Sequence, residues 1–171
     1  MSKLNNLQDL FEIMVRDVYD AEKQLIQAMP KMLKKATNPR LKLVLESQMQ
    51  DAGEQLDRIQ RVFQYLVIRP KAKRCQGMEG ILKEGADLLA EDGEPPVLDA
   101  ACIASIQMVK HYEIAAYGTL KAWSRLLNHH PEVQSLLSAT EQEEKAFDGQ
   151  LSDLAIKINE DAMATNLAQV G

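Results

Sequence analysis

The stretch from Val109 to Leu120, Val-Lys-His-Tyr-Glu-Ile-Ala-Ala-Tyr-Gly-Thr-Leu, constrains this chain more than any other. At helical spacing Ile106, Val109, Glu113, Ala116, Tyr117 and Leu120 share one face. Five of these are residues that a helix turns towards a core, and the sixth is a carboxylate. A buried carboxylate is costly to ionise unless a cation, a proton or a hydrogen-bond network answers it. The fold must therefore surround this helix and supply a partner for Glu113 inside.

The same pattern recurs along the chain. Asn5 or Asn6 caps a first helix whose apolar stripe runs Leu7, Leu10, Phe11, Met14, Val18, Leu25, Met29 and Leu33. Ala21 and Glu22 fill the gap between Val18 and Leu25, so Glu22 interrupts a core face as Glu113 does. Pro30 is predicted to kink the last turns. Asn38 and Pro39 open a second helix with Leu41, Val44, Leu45, Ala52, Ile59, Val62, Phe63 and Leu66 on one face. Gln48, Asp51 and Gln55 lie in the middle of that face, and Glu54 falls to the flank with Arg58. Val67 to Gly77 is basic and aperiodic, and reads as a loop.

Met78 to Glu91 reads as a short amphipathic helix within the crossover between the second and third long helices. The third long helix spans Val97 to Asn128. Its second apolar line, Ala104, Met108, His111, Ala115 and Ala122, predicts further neighbours, among them another subunit. His111 reads as an interface or core histidine, and His129-His130-Pro131 as a turn. The fourth helix runs from Glu132 to Ile158, with Val133, Leu136, Leu137, Thr140, Glu144, Phe147, Leu151, Leu154 and Ile158 inward. Asp148 lies one turn after Glu144. Residues 1–160 thus form one all-α domain, a four-helix bundle, and residues 161–171 a weakly ordered tail.

Charge and cysteine usage narrow the function classes. A net charge of −5 argues against nucleic acid or an anionic membrane as the partner. No apolar run approaches the roughly 20 residues of a membrane span, and the start lacks the apolar segment of a signal peptide. Cys75 and Cys102 have no CxxC spacing and read as reduced thiols of a cytoplasmic protein.

Glu22, Asp51, Glu113 and Glu144 each lie near the middle of a long helix. In two antiparallel hairpins each pair faces across at similar height, with Gln55 and Asp148 one turn on. This is the layout of a carboxylate-bridged pair of metal ions inside a four-helix bundle. Hard oxygen donors point to two iron or manganese ions, with oxidation of the metal by oxygen or peroxide as the accessible chemistry. The His three residues after each second-helix Glu in the usual di-iron bundle is absent; Glu54 and Phe147 stand at those offsets. The alternative is a metal-free scaffold or interaction protein whose Gln48, Asp51, Gln55, Tyr19, Tyr117 and glutamates form a structural polar layer.

Four motifs carry a family resemblance: Val18-Tyr19-Asp20-Ala21-Glu22-Lys23-Gln24-Leu25, Cys75-Gln76-Gly77-Met78-Glu79-Gly80, His111 to Thr119, and Glu143-Glu144-Lys145. With these the chain resembles the ferritin-like YciE/YciF group, bacterial stress-associated proteins gathered as a domain family of unknown function. The resemblance covers Leu7 to about Ile156. It implies a ferritin-like four-helix bundle, a homodimer, and a metal site between the helices, without implying a particular reaction. Relatives commonly carry Glu where this chain has Gln50, Asp51 and Lys110.

Overall fold

The computed structural model describes residues 4–168, with side chains up to 165. Five helices follow one another: α1 Leu7–Lys35, α2 Pro39–Tyr65, α3 Gln76–Leu88, α4 Pro95–Leu126 and α5 Pro131–Ala168. No strand occurs among the described residues. Asn6 accepts from the amide of Asp9 and starts α1, while Asn38 accepts from Arg40 and Leu41 ahead of Pro39 and starts α2. α1 runs through Pro30 without ending there. Both α2 and α4 stop with a residue at positive φ, Val67 and Asn128. The amides of Ile68 and His129 then bond back to the Phe63 and Ser124 carbonyls, which satisfies the last turn.

Each long helix buries residues at alternating spacings of three and four. In α1 they are Phe11, Val15, Val18, Glu22, Leu25, Met29 and Met32, and in α2 Leu41, Leu45, Gln48, Ala52, Gln55, Ile59 and Val62. In α4 they are Ile103, Ile106, Lys110, Glu113, Tyr117, Leu120 and Ser124. In α5 they are Val133, Leu137, Thr140, Glu144, Phe147 and Leu151. That repeat keeps one seam facing a neighbour along the helix. The helices contact in a closed ring, α1 with α2, α2 with α5, α5 with α4 and α4 with α1, and α3 lies against α4 and α1.

Two apolar clusters fill the ring. One holds Leu25, Met29, Leu45, Ile106, Val109, Phe147 and Leu151. The other holds Val15, Val18, Ile59, Ala116, Tyr117, Leu120 and Leu137. On each of the four long helices the boundary falls at the polar positions: Glu22, Gln48 to Gln55, Lys110 to Glu113, and Thr140 to Glu144. The core is therefore two apolar halves separated by one buried polar layer.

Two attachments fix the height of the helices. Buried Asp99, near the start of α4, accepts from the Thr37 amide at 2.6 Å, the Thr37 hydroxyl at 2.6 Å and the Asn38 amide at 2.9 Å. This ties the α1–α2 turn to α4. At the start of α3, the Cys75 amide donates to Asp20 at 2.8 Å, and its thiol lies 2.9 Å from the Tyr112 hydroxyl, which also donates to Asp17. The basic segment before Cys75 is held as well, since Arg16 donates to the Arg69 carbonyl and Lys73 pairs with Asp17.

Residue 161, where the weakly ordered tail is expected to begin, lies inside α5. α5 continues to Ala168, and Lys157 pairs with Glu160 and Asp161 at helical spacing, at 3.6 and 2.9 Å. Such pairs support the exposed side of the helix, while Ile158 between them stays in the core. Residues 169–171 of that tail lie outside the described residues.

Candidate functional site

The polar layer is built around Lys110. Its side chain is fully buried, and Nζ stands 2.6 Å from Glu113 Oε2 and 2.6 Å from Glu144 Oε2. Both are fully buried ion pairs. The ammonium also sits 5.5 Å from the centre of the Phe147 ring, a favourable position over an aromatic face. Burial works against the lysine's charge, but the two neighbouring glutamates outweigh it and raise its pKa above the ordinary range. Lys110 is held as a cation.

Glu22 completes the cluster from α1. It is fully buried, and the Tyr117 hydroxyl donates to its Oε1 at 2.6 Å. From α2, Gln55 donates to Glu144 Oε1 at 2.6 Å and to Glu143 Oε2 at 3.3 Å, and Arg58 closes the edge against Glu143. Three buried carboxyls thus share one ammonium. Charge balance leaves two of them needing protons or a further cation. Burial pushes Glu22 up to about 7, against the pull of Tyr117 and Lys110. It pushes Glu113 well above the carboxylate range too, despite Lys110. These two are the groups driven towards holding protons. Glu22 Oε2, Glu113 Oε1 and Gln55 Oε1 are buried without a hydrogen-bond partner.

The six expected ligands divide. Glu22, Glu113, Glu144 and Gln55 meet in the layer. Asp51 does not: it is exposed on α2, because Ala52 takes the inward position between Gln48 and Gln55. Its carboxyl is raised by partial burial and by the nearby Glu143 charge, so it stands at the rim. Asp148 also faces outward. It accepts from Gln107 at 3.2 Å and lies 3.3 Å from His111 Nε2 on the outer side of α4, while Phe147 points inward.

Whether these residues fit a pair of divalent ions can be judged from the donor set. The carboxylates that would bridge the ions, Glu113 and Glu144, are turned onto an ammonium at contact distance. A metal ion between them would meet that positive charge in a poorly screened interior. Among the described residues no group of three or more His, Cys, Asp or Glu side chains is arranged to hold an ion. As the side chains stand, the residues do not fit the pair.

Lys110 is the residue that sequence reasoning did not place. Its type reads as solvent-exposed, yet its spacing does not: four residues after Ile106, three before Glu113 and seven before Tyr117, it continues the buried seam.

The family described as Domain of unknown function (DUF892) matches residues 6–164. Protein YciF of Escherichia coli (strain K12) is 35% identical over 154 residues, 90% of this chain and 92% of that protein. The crystal structure of the E. coli stress protein YciF is similar with a TM-score of 0.87 at 34% identity, covering 91% of this chain and 98% of that one. YcfI from Rhodopseudomonas palustris gives a TM-score of 0.85 at 38% identity, covering 88% of this chain and 95% of the other.

Proposed function

The chain belongs to the DUF892 family, and from that premise we propose that it is a cytoplasmic, stress-associated four-helix bundle of ferritin type, centred on an internal salt cluster. In this reading the protein acts as a structural or interaction module, and its carboxylate layer is neutralised by its own lysine. One observation carries it: Lys110 Nζ lies at 2.6 Å from both Glu113 and Glu144. The likeness to the E. coli stress protein supports the stress association. The rival reading is a resident pair of iron or manganese ions with oxidation chemistry.

Thermal melts of the wild type in Mn²⁺, in Fe²⁺ under argon and in chelator separate the two. A ligand raises the melting temperature only where the folded state binds it. The salt-cluster reading expects the same melting temperature in all three buffers. A metal-dependent rise, with stoichiometric iron or manganese in protein purified without chelator, would overturn it.

Self-association belongs to the same proposal. Ala104, Met108, His111 and Ala115 form an exposed line along α4, and Met108 is 53% exposed. A second copy covering this line gives a sedimenting mass near twice 19.2 kDa. A single-chain mass at micromolar concentration would overturn the dimer alone.

A further inference from the structure

We propose that the groove between α1 and α3 is a binding site for an amphipathic anion, a single alkyl chain with an anionic head. It lies outside the polar layer, so the proposal stands or falls apart from the salt-cluster reading. The way α3 is attached makes the groove. At its start α3 is fastened to α1, where Gln24 donates to the Cys75 carbonyl at 3.1 Å and the Cys75 amide donates to Asp20. Further along, Gly85 packs on Ser105 of α4 so closely that an added Cβ would come within 3.0 Å of the Ser105 Cβ. Beside this contact the flanks of α1 and α3 enclose about 450 Å³, within the roughly 300–1,000 Å³ of small-molecule sites. On α1 the groove extends from Gln24 to Lys35, about 16 Å at helical rise.

Floor and rim differ in character. Met32 and Leu89, 7% and 3% exposed, are the most buried of the lining, joined by half-buried Ala28 and Leu82 and by Ala86 of α3. Lys31, Lys35 and Lys83 line the same groove and are exposed. Among the described residues Lys31 and Lys35 have no ion-pair partner, and Lys83 meets Asp87 in a pair open to water. Glu79, the acid in the lining, is already answered by Arg74. Lysine stems extend an apolar wall while their ammonium groups stay at the rim. An apolar floor under two uncommitted cations selects a ligand with both parts. A neutral hydrocarbon leaves the ammonium groups unanswered, and a small anion leaves the floor wet. An alkyl anion covers the floor and pairs with the rim. In a chain of net charge −5 this local excess of positive charge runs against the overall field.

The experiment uses the full chain, with decanoate as the probe and calorimetric titration as the readout. Wild type is compared with Lys31→Glu/Lys35→Glu, which reverses the rim, and with Ala86→Trp, which fills the groove from α3. Thermal melts check that each variant is folded. Should Ala86→Trp not fold, the rim variant, altered only at exposed positions, carries the test alone. Wild type should bind one decanoate per chain, and acetate, which has the head without the chain, should give no heat. Reversing the two rim charges should weaken decanoate about tenfold, and Ala86→Trp should weaken it at least as much. Decyltrimethylammonium should show the opposite order, binding the charge-reversed variant more tightly than wild type. A folded variant of either kind that keeps wild-type affinity for decanoate overturns the site. Wild type that binds no decanoate at millimolar concentration overturns it too, whether the face then takes phosphatidylglycerol vesicles by co-sedimentation or a second copy by sedimenting mass. None of these outcomes involves Lys110, so the salt-cluster reading is tested separately.

Discussion

Asp99 and Glu113 lie on the same helix and are equally buried, each 2% exposed. Their surroundings differ. Asp99 accepts three hydrogen bonds, two of them from backbone amides of the α1–α2 turn. Glu113 has the shared Lys110 ammonium beside Oε2 and no partner at Oε1. A carboxylate answered by backbone is committed, because those amides have no other partner at the turn. A carboxylate answered by one shared side chain and by protons can be answered again by something else. The first fastens the fold. The second is where pH, substitution or a cation can change the molecule.

The largest break of this contrast is Lys110→Met. It keeps apolar volume near Phe147 and leaves three buried carboxyls without their ammonium. Removing one partner of a buried ion pair costs about 3–5 kcal/mol. Urea unfolding at pH 8 should show a loss of that size, with part of it recovered at pH 5 as the carboxyls take up protons. A loss below about 1 kcal/mol at pH 8 would mean that the ammonium does not hold the layer.

Next comes Glu22→Gln, whose effect lies in its pH dependence. The folded carboxyl has its pKa raised by burial from 4.5 to about 7. Between those values the folded state holds a proton that the unfolded state has released. This contribution is therefore fully present below about pH 4.5, falls as pH rises, and is lost above about pH 7. Gln has no proton to lose and keeps an oxygen for the Tyr117 hydroxyl. Relative to wild type the variant should gain on the order of 3 kcal/mol between pH 4 and pH 8. Parallel stability profiles for the two proteins would show that Glu22 titrates in the fold as it does in the unfolded chain.

Asp99→Ala tests the other side of the contrast. It strips the Thr37 and Asn38 amides of their acceptor, and an unmade bond at such a group costs about 1–3 kcal/mol. The loss should be the same in Mn²⁺ and in chelator, since nothing at that turn exchanges partners. A metal-dependent loss would couple the turn to the layer and erase the distinction drawn between them.

The fold was largely legible because periodicity is local. Asn6, Asn38, Pro39 and the three–four spacing place four long helices within a few residues of where they lie. The layer was legible by height but not in every member. On α2 both Gln48–Asp51–Gln55 and Gln48–Ala52–Gln55 satisfy helical spacing, and only the packing of α2 against its neighbours α1 and α5 decides for Ala52. On α4 nothing in the local pattern gives Lys110 a place in the layer. Its inward position depends on Glu144, 34 residues later (144 − 110), and no local pattern carries such a pairing.

The smallest effect is expected at Asp148, and it sharpens the comparison within a single helix. Asp148 follows Glu144 by one turn, and sequence spacing alone makes the two equivalent candidates. Their partners do not. Glu144 is fully buried against Lys110, whereas Asp148 meets His111 on the outside of α4, where the His111 side chain is 69% exposed. A contact between groups so open to water contributes about 0–1 kcal/mol. Asp148→Asn also keeps an oxygen to accept from Gln107. Urea unfolding at pH 7 should put the variant within about 0.5 kcal/mol of wild type. A loss above about 1 kcal/mol would mean that Asp148 is held, as Glu144 is, by a partner shielded from water. The boundary between layer and surface on α5 would then lie one turn further along.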